Sequence, residues 1–182
     1  MSNFPENFEA YFASQPERFE KKLNNRARIK NILWFIVLGL ASFVLLVSEK
    51  HGFIPWAITI LLTFSALVFG YLIIWGSKDY MDKQTGGFVV EKSIKKFDSH
   101  YVTEIEIYEA LQNRDFRAIV DATAKDNQPL QIYVYEDKVG KKFYLLLMKY
   151  FSTSEFKGIS DVTIVEGADY DRYKKDIYKI TL

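Results

Sequence analysis

Asp98 and His100 are the residues whose types and spacing come nearest to acid–base chemistry in this chain. An Asp-x-His pair can orient an imidazole as a general base, but it also needs a third group and a pocket, and no nucleophile motif accompanies it. A surface turn is the simpler reading. The other histidine, His51, lies beside Glu49, and two isolated histidines give no zinc spacing. Gly86-Gly87 has no Lys-Ser/Thr directly after it, so it is no phosphate loop. Glu104 and Glu106, placed on one face of a strand, read as a solvated face. The sequence therefore assigns no catalytic residue, no cofactor and no metal ligand.

The elements that must carry any activity are organised around residues 31–77. Asn31–Ser48 is 18 residues without a charge, and Gly52–Ser77 is 26. At 1.5 Å per residue these make about 27 Å and about 39 Å of helix, against a bilayer core that needs roughly 20 residues. Trp34, Trp56 and Trp75 fall near the ends of these runs, where interfacial anchors belong. Thirty residues precede the first run and a second run follows at once, so it reads as an anchor and not a cleaved signal. Arg18, Lys21, Lys22, Arg26, Arg28 and Lys30 precede the pair and Lys78, Lys83, Lys92, Lys95 and Lys96 follow it, while Lys50 alone lies between. The positive-inside rule then puts both termini in the cytoplasm of a cell whose inner membrane the hairpin crosses.

Small or hydroxyl residues form a stripe on the second helix, Thr59, Thr63, Ala66 and Gly70, and Gly39 and Ser42 share a face of the first. Such residues let helices approach closely, either within the hairpin or between subunits of an oligomer. Neither span holds an ionisable residue, which argues against a conduit formed by this chain alone.

Before the hairpin, Phe4, Phe8, Tyr11 and Phe12 predict a short amphipathic helix with Pro5 in its first turn. Its polar face carries Glu where an interfacial anchor carries Lys and Arg, so it is expected to pack on its own domain or a neighbour. Ser14, Pro16 and Glu17 predict a second helix that runs into the first span. After the hairpin, residues 78–87 read as a polar linker broken by Gly86-Gly87. Residues 88–97 fit strand or helix. Residues 101–108 carry a Thr103/Glu106 capping-box pattern, yet their β-branched density favours a strand. Phe116–Asp121, Leu130–Tyr135 and Phe143–Tyr150 predict an antiparallel meander, with turns over 125–129 and around Gly140. A polar loop through Ser152, Ser154 and Gly158 leads to a strand at Val162–Val165. Asp169 is expected to cap a final helix bearing Tyr170, Tyr173, Ile177 and Ile180 on one face and Arg172, Lys174, Lys175 and Lys179 on the others.

The fold class expected is a membrane α-helical hairpin followed by a β-rich α+β cytoplasmic domain, an antiparallel meander closed by a C-terminal helix. The boundaries are 1–30 for a juxtamembrane helical segment, 31–77 for the hairpin, 78–87 for the linker and 88–182 for the domain. In arrangement alone this is similar to bacterial membrane proteins with pleckstrin-homology-like domains, and arrangement implies no function.

A formal net charge of +1 leaves no basic surplus to drive nucleic-acid binding. The absence of cysteine excludes disulfides and thiolate sites. What remains is a non-enzymatic membrane protein whose domain binds a protein partner as scaffold or accessory subunit. The alternatives are a subunit of an oligomeric transporter or channel, and a membrane-anchored enzyme with a site around Asp98 and His100. Of the domain's aromatic residues, Tyr133, Tyr135, Phe143, Tyr144, Tyr150 and Phe151, those left exposed are candidates for the binding surface.

Overall fold

A computed structural model describes residues 4–48, 52–76, 78–151 and 155–180. The chain forms two compact units, one from the described residues up to Glu20 together with 80–180, the other from Lys21–Asp79. The N-terminal segment therefore folds with the C-terminal domain, across the hairpin in sequence.

In the first unit, α1 (Phe8–Ala13) starts at Asn7, whose side chain accepts from Ala10 N–H at 2.8 Å. Pro5 precedes this helix. The second helix expected from Glu17 is absent, because the chain turns after Ser14 and enters strand β1 (Phe19–Leu23). Lys78–Gly87, expected as a linker, holds β2 (Lys78–Asp82) and a turn in which Gly86 adopts φ 70°. The long strand β3 (Gly87–Phe97) settles the ambiguous stretch, with a register shift between Glu91 and Ser93.

Of residues 101–108, expected as a strand, Tyr101–Thr103 form a turn and the cap, and 104–108 are helical, belonging to α4 (Glu104–Gln112). The capping box decides it: Glu106 N–H donates to Thr103 Oγ1 at 3.3 Å, and Thr103 N–H donates to Glu106 Oε2 at 2.8 Å. Phe116–Asp121 is also a helix, α5, capped by Asp115 through Ala118 N–H at 3.1 Å, so it is not a strand of the meander. (The two helices between β1 and β2 are numbered α2 and α3 below.) The meander is instead β3, β4 (Leu130–Asp137) and β5 (Lys142–Phe151), paired antiparallel. Ser152 and Ser154 lie outside the described residues, and the rest of the expected loop is strand β6 (Glu155–Gly158). Strand β7 (Thr163–Glu166) follows, then α6 (Ala168–Ile180). Gly167 takes φ 63° ahead of the helix, which puts Asp169 inside the first turn, paired with Arg114, and not at the cap.

The sheet order is β1-β2-β3-β4-β5-β6, with β7 also pairing to β5. Alternation sends Leu130, Ile132 and Val134 of β4, with Phe143, Leu145 and Leu147 of β5, into the core shared with α4, α5 and α6. The other face receives Tyr144, Leu146 and Met148, packed with Phe8, Phe12 and Phe19 of the N-terminal segment. With both faces covered, β5 is buried without interruption from Phe143 to Met148. On α6, Tyr170, Ile177 and Ile180 are buried and Tyr173 is half-buried, as their spacing predicts.

The second unit is an antiparallel pair, α2 (Asn25–Val47) and α3 (Phe53–Ile74). Both are long and apolar enough to cross a membrane by length and composition. Ser42 and Thr63 hydroxyls bond at 2.6 Å, and Ser42 Oγ donates to the Thr59 carbonyl at 3.4 Å. Thr59 and Ala66 are buried, and the Phe35 ring packs over Gly70. The stripe of small residues thus faces α2. Gly39 stands apart, since a methyl group there would meet nothing within 4 Å. Glu49, Lys50 and His51, the expected outer loop, lie outside the described residues.

Candidate functional site: an aromatic groove on the sheet

Tyr133 and Tyr135 project from β4 onto the face that α1 occupies, because they alternate with the core residues Ile132 and Val134. The short α1 covers only part of that face. The Phe8 ring lies 4.4 Å from Tyr135 and the Phe12 ring 5.5 Å from Tyr144, which buries Phe8, Phe12 and Tyr144. Beyond Phe8 the sheet is open. Tyr133, Tyr135, Met148 and Phe156 there line a groove of about 320 Å³, bounded by Asn7, Phe8 and Glu9. Tyr150 continues the aromatic surface, its ring 5.3 Å from Phe156, and Tyr150 and Phe151 are 44% and 41% exposed.

Carboxylates stand at the rim. Tyr135 donates its hydroxyl to Glu91 Oε2 at 3.0 Å, and Glu9 lines the groove itself. Burial, and then the Glu91 charge, push the Tyr133 phenol above its ordinary value, so it stays a neutral donor. A second, smaller groove shares Asn7 and Phe156 and adds Glu6, Glu155 and Lys157. An apolar aromatic floor with acidic edges suits a long side chain that ends in a cation, as ring faces and carboxylates both attract it.

The strongest electrostatics lie elsewhere and hold the fold. Asp82 is fully buried, accepts from Gln84 N–H at 2.9 Å and pairs with Arg18 and Lys142, each at 3.4 Å. Burial alone would raise its pKa, but the Gln84 hydrogen bond and the Lys142 and Arg18 charges outweigh it and leave the carboxyl below its ordinary range. Asp137 accepts from Thr85 Oγ1 at 2.6 Å and from Val139 and Gly140 N–H, each at 2.9 Å, tying two turns together. A Cβ at Gly87 or Gly140 would collide with that carboxylate. On the opposite face, Glu136 Oε1 accepts from Tyr170 and Tyr178, while Oε2 accepts no well-aligned hydrogen bond and faces Lys92 Nζ at 3.0 Å. Its pKa is also lowered: burial opposes this, and the two phenols and Lys92 overcome it.

Asp98 is buried, but the bond it accepts from His100 comes from the main-chain N–H, at 3.1 Å, and His100 is exposed. That is a turn stabilised by an Asp side chain. Glu104 pairs with Lys149 at 2.7 Å, and Glu106 closes the capping box. Phe143 and Tyr144 are core residues. In the hairpin, Trp34 stacks on Phe69, Trp75 on Tyr71, and Trp56 lines an apolar groove of about 540 Å³ with Thr59 and Thr63. The sequence missed Phe8, Glu9, Glu91, Met148 and Phe156 as groove residues, because only strand register and the docking of α1 bring them together. The chain matches no protein-family model, no curated protein and no solved structure.

Proposed function

We propose that this is an integral inner-membrane protein with both termini in the cytoplasm, whose sheet domain acts as a non-enzymatic scaffold or accessory subunit. Its partner docks in the groove of Tyr133, Tyr135, Met148 and Phe156. The observation that carries this reading is the groove itself, open on a sheet whose faces are otherwise covered by the chain's own helices. Exposed aromatic residues beside carboxylates are the composition of an interface core with a polar rim. The acidic rim favours a partner segment bearing Lys or Arg.

Two further observations support it. The apolar windows of α2 and α3 are only 6% and 11% buried inside the protein, unlike the core helices of soluble domains. The lysines and arginines flank the pair, with Lys50 alone in its connection, which favours the cytoplasmic orientation.

A photo-crosslinking residue placed at Tyr133 or Phe156 in intact membranes tests the docking surface. A discrete adduct from both sites, absent from exposed Val139, is expected. Adducts from Val139 alone would refute the groove as the docking surface.

A further inference from the structure

Arg26, Arg28 and Lys30 occupy the first turns of α2, exposed, directly before the apolar run. At 100° per residue, Arg26 and Lys30 share one side and Arg28 takes the other, so the charges form a collar. None of the three side chains makes an ion pair among the described residues. The nearby acid Asp79 is engaged, its Oδ2 accepting from Asn24 Nδ2 at 2.7 Å.

Depth follows from register. The Ser42–Thr63 bond and the packing of Phe35 over Gly70 run the helices antiparallel and bring Lys30 level with Trp75. From Asn31 to the end of α2 at Val47 the uncharged helix is about 26 Å long at 1.5 Å per residue, shorter than a hydrocarbon core of about 30 Å. The 22 residues of α3 give about 33 Å. Once α3 spans the core, the collar on the shorter helix is drawn to the phosphate plane. Cations at that depth with no protein counterion take one from the lipid.

We infer that Arg26, Arg28 and Lys30, with Trp75 beside them, bind the headgroup of an anionic phospholipid in the cytoplasmic leaflet. This rests on the membrane-spanning reading above. The test uses full-length protein carrying Trp34→Phe and Trp56→Phe, reconstituted in phosphatidylcholine vesicles, with Trp75 fluorescence quenched by brominated lipid. Brominated phosphatidylglycerol is expected to quench at a mole fraction at least about fivefold lower than brominated phosphatidylcholine, the effect of one basic residue at an anionic surface. The preference should vanish in R26Q/R28Q/K30Q and persist in R26K/R28K. If the triple variant fails to fold, the unaltered collar should lose its preference in about 1 M salt, where the Debye length falls to about 3 Å. Equal quenching by the two lipids, or a preference that survives the triple substitution, overturns the inference. Quenching by neither lipid would instead overturn the spanning reading and the inference with it.

Discussion

The Tyr170 hydroxyl donates to Glu136 at 2.7 Å, in a place where the carboxylate has no solvent contact. This bond pins the C-terminal helix to the middle of the sheet, and Tyr178 reinforces it on the same oxygen at 2.6 Å. Tyr170→Phe should cost about 1–2 kcal/mol, because one donor leaves an otherwise satisfied acceptor. Glu136→Ala should cost about 3–5 kcal/mol, since it strands two phenols and the Lys92 ammonium together. Thermal unfolding of the detergent-solubilised chain measures both, and equal Tm values for the two variants would contradict the arrangement.

The same carboxylate sets a pH dependence. Glu136 and Asp82 both have folded pKa values below their ordinary ones, so the unfolded chain binds protons first as pH falls. Their stabilisation is complete above the unfolded values, near pH 4, and is lost as pH drops through the lower folded values. Tm should hold steady from pH 7 to about pH 5 and decline below about pH 4, with a shallower decline in Glu136→Gln.

On the opposite face Phe12 is the hub. It is 1% exposed and its ring neighbours include Phe8, Phe19, Tyr80 and Tyr144. Phe12→Ala should cost about 3–5 kcal/mol and loosen the N-terminal segment. Limited trypsinolysis should then cut at Arg18, which the parent chain shields through its pairing with Asp82.

Within the hairpin, Gly70 and Gly39 should respond oppositely. A Cβ at Gly70 meets the Phe35 ring at 3.2 Å, whereas one at Gly39 meets nothing within 4 Å. Gly70→Leu should lower the unfolding free energy in detergent, and Gly39→Leu should leave it within about 0.5 kcal/mol of the parent. Ser42→Ala should cost about 0.5–1.5 kcal/mol through its lost bond to Thr63.

The hairpin, the strands β4 and β5 and the C-terminal helix were legible because long apolar runs, alternation and helical spacing each leave a local trace. The helices α4 and α5 were not, because Ile105 and Ile107 carry β-branched density that a capping box outweighs, and Phe116–Asp121 is too short for periodicity to decide. Strand β1 was hidden by the absence of any breaker between Glu17 and α2. The buried acids Asp82, Glu136 and Asp137 look like ordinary strand-end charges until register places them against Arg18, Tyr170 and Thr85. The groove was half visible: Tyr133 and Tyr135 stood out as aromatic residues, while Phe8 reaches them from about 125 residues upstream and Phe156 from about 20 residues downstream, and no local pattern records either pairing.

The chain contains no cysteine, so single-cysteine variants report topology without background. In sealed spheroplasts a membrane-impermeant maleimide should label Ser48→Cys, at the end of α2, and reach the exposed Lys138→Cys only after lysis. Labelling of Lys138→Cys from outside, with Ser48→Cys protected, would contradict the claim that the α2–α3 hairpin holds the sheet domain on the inner face of the membrane.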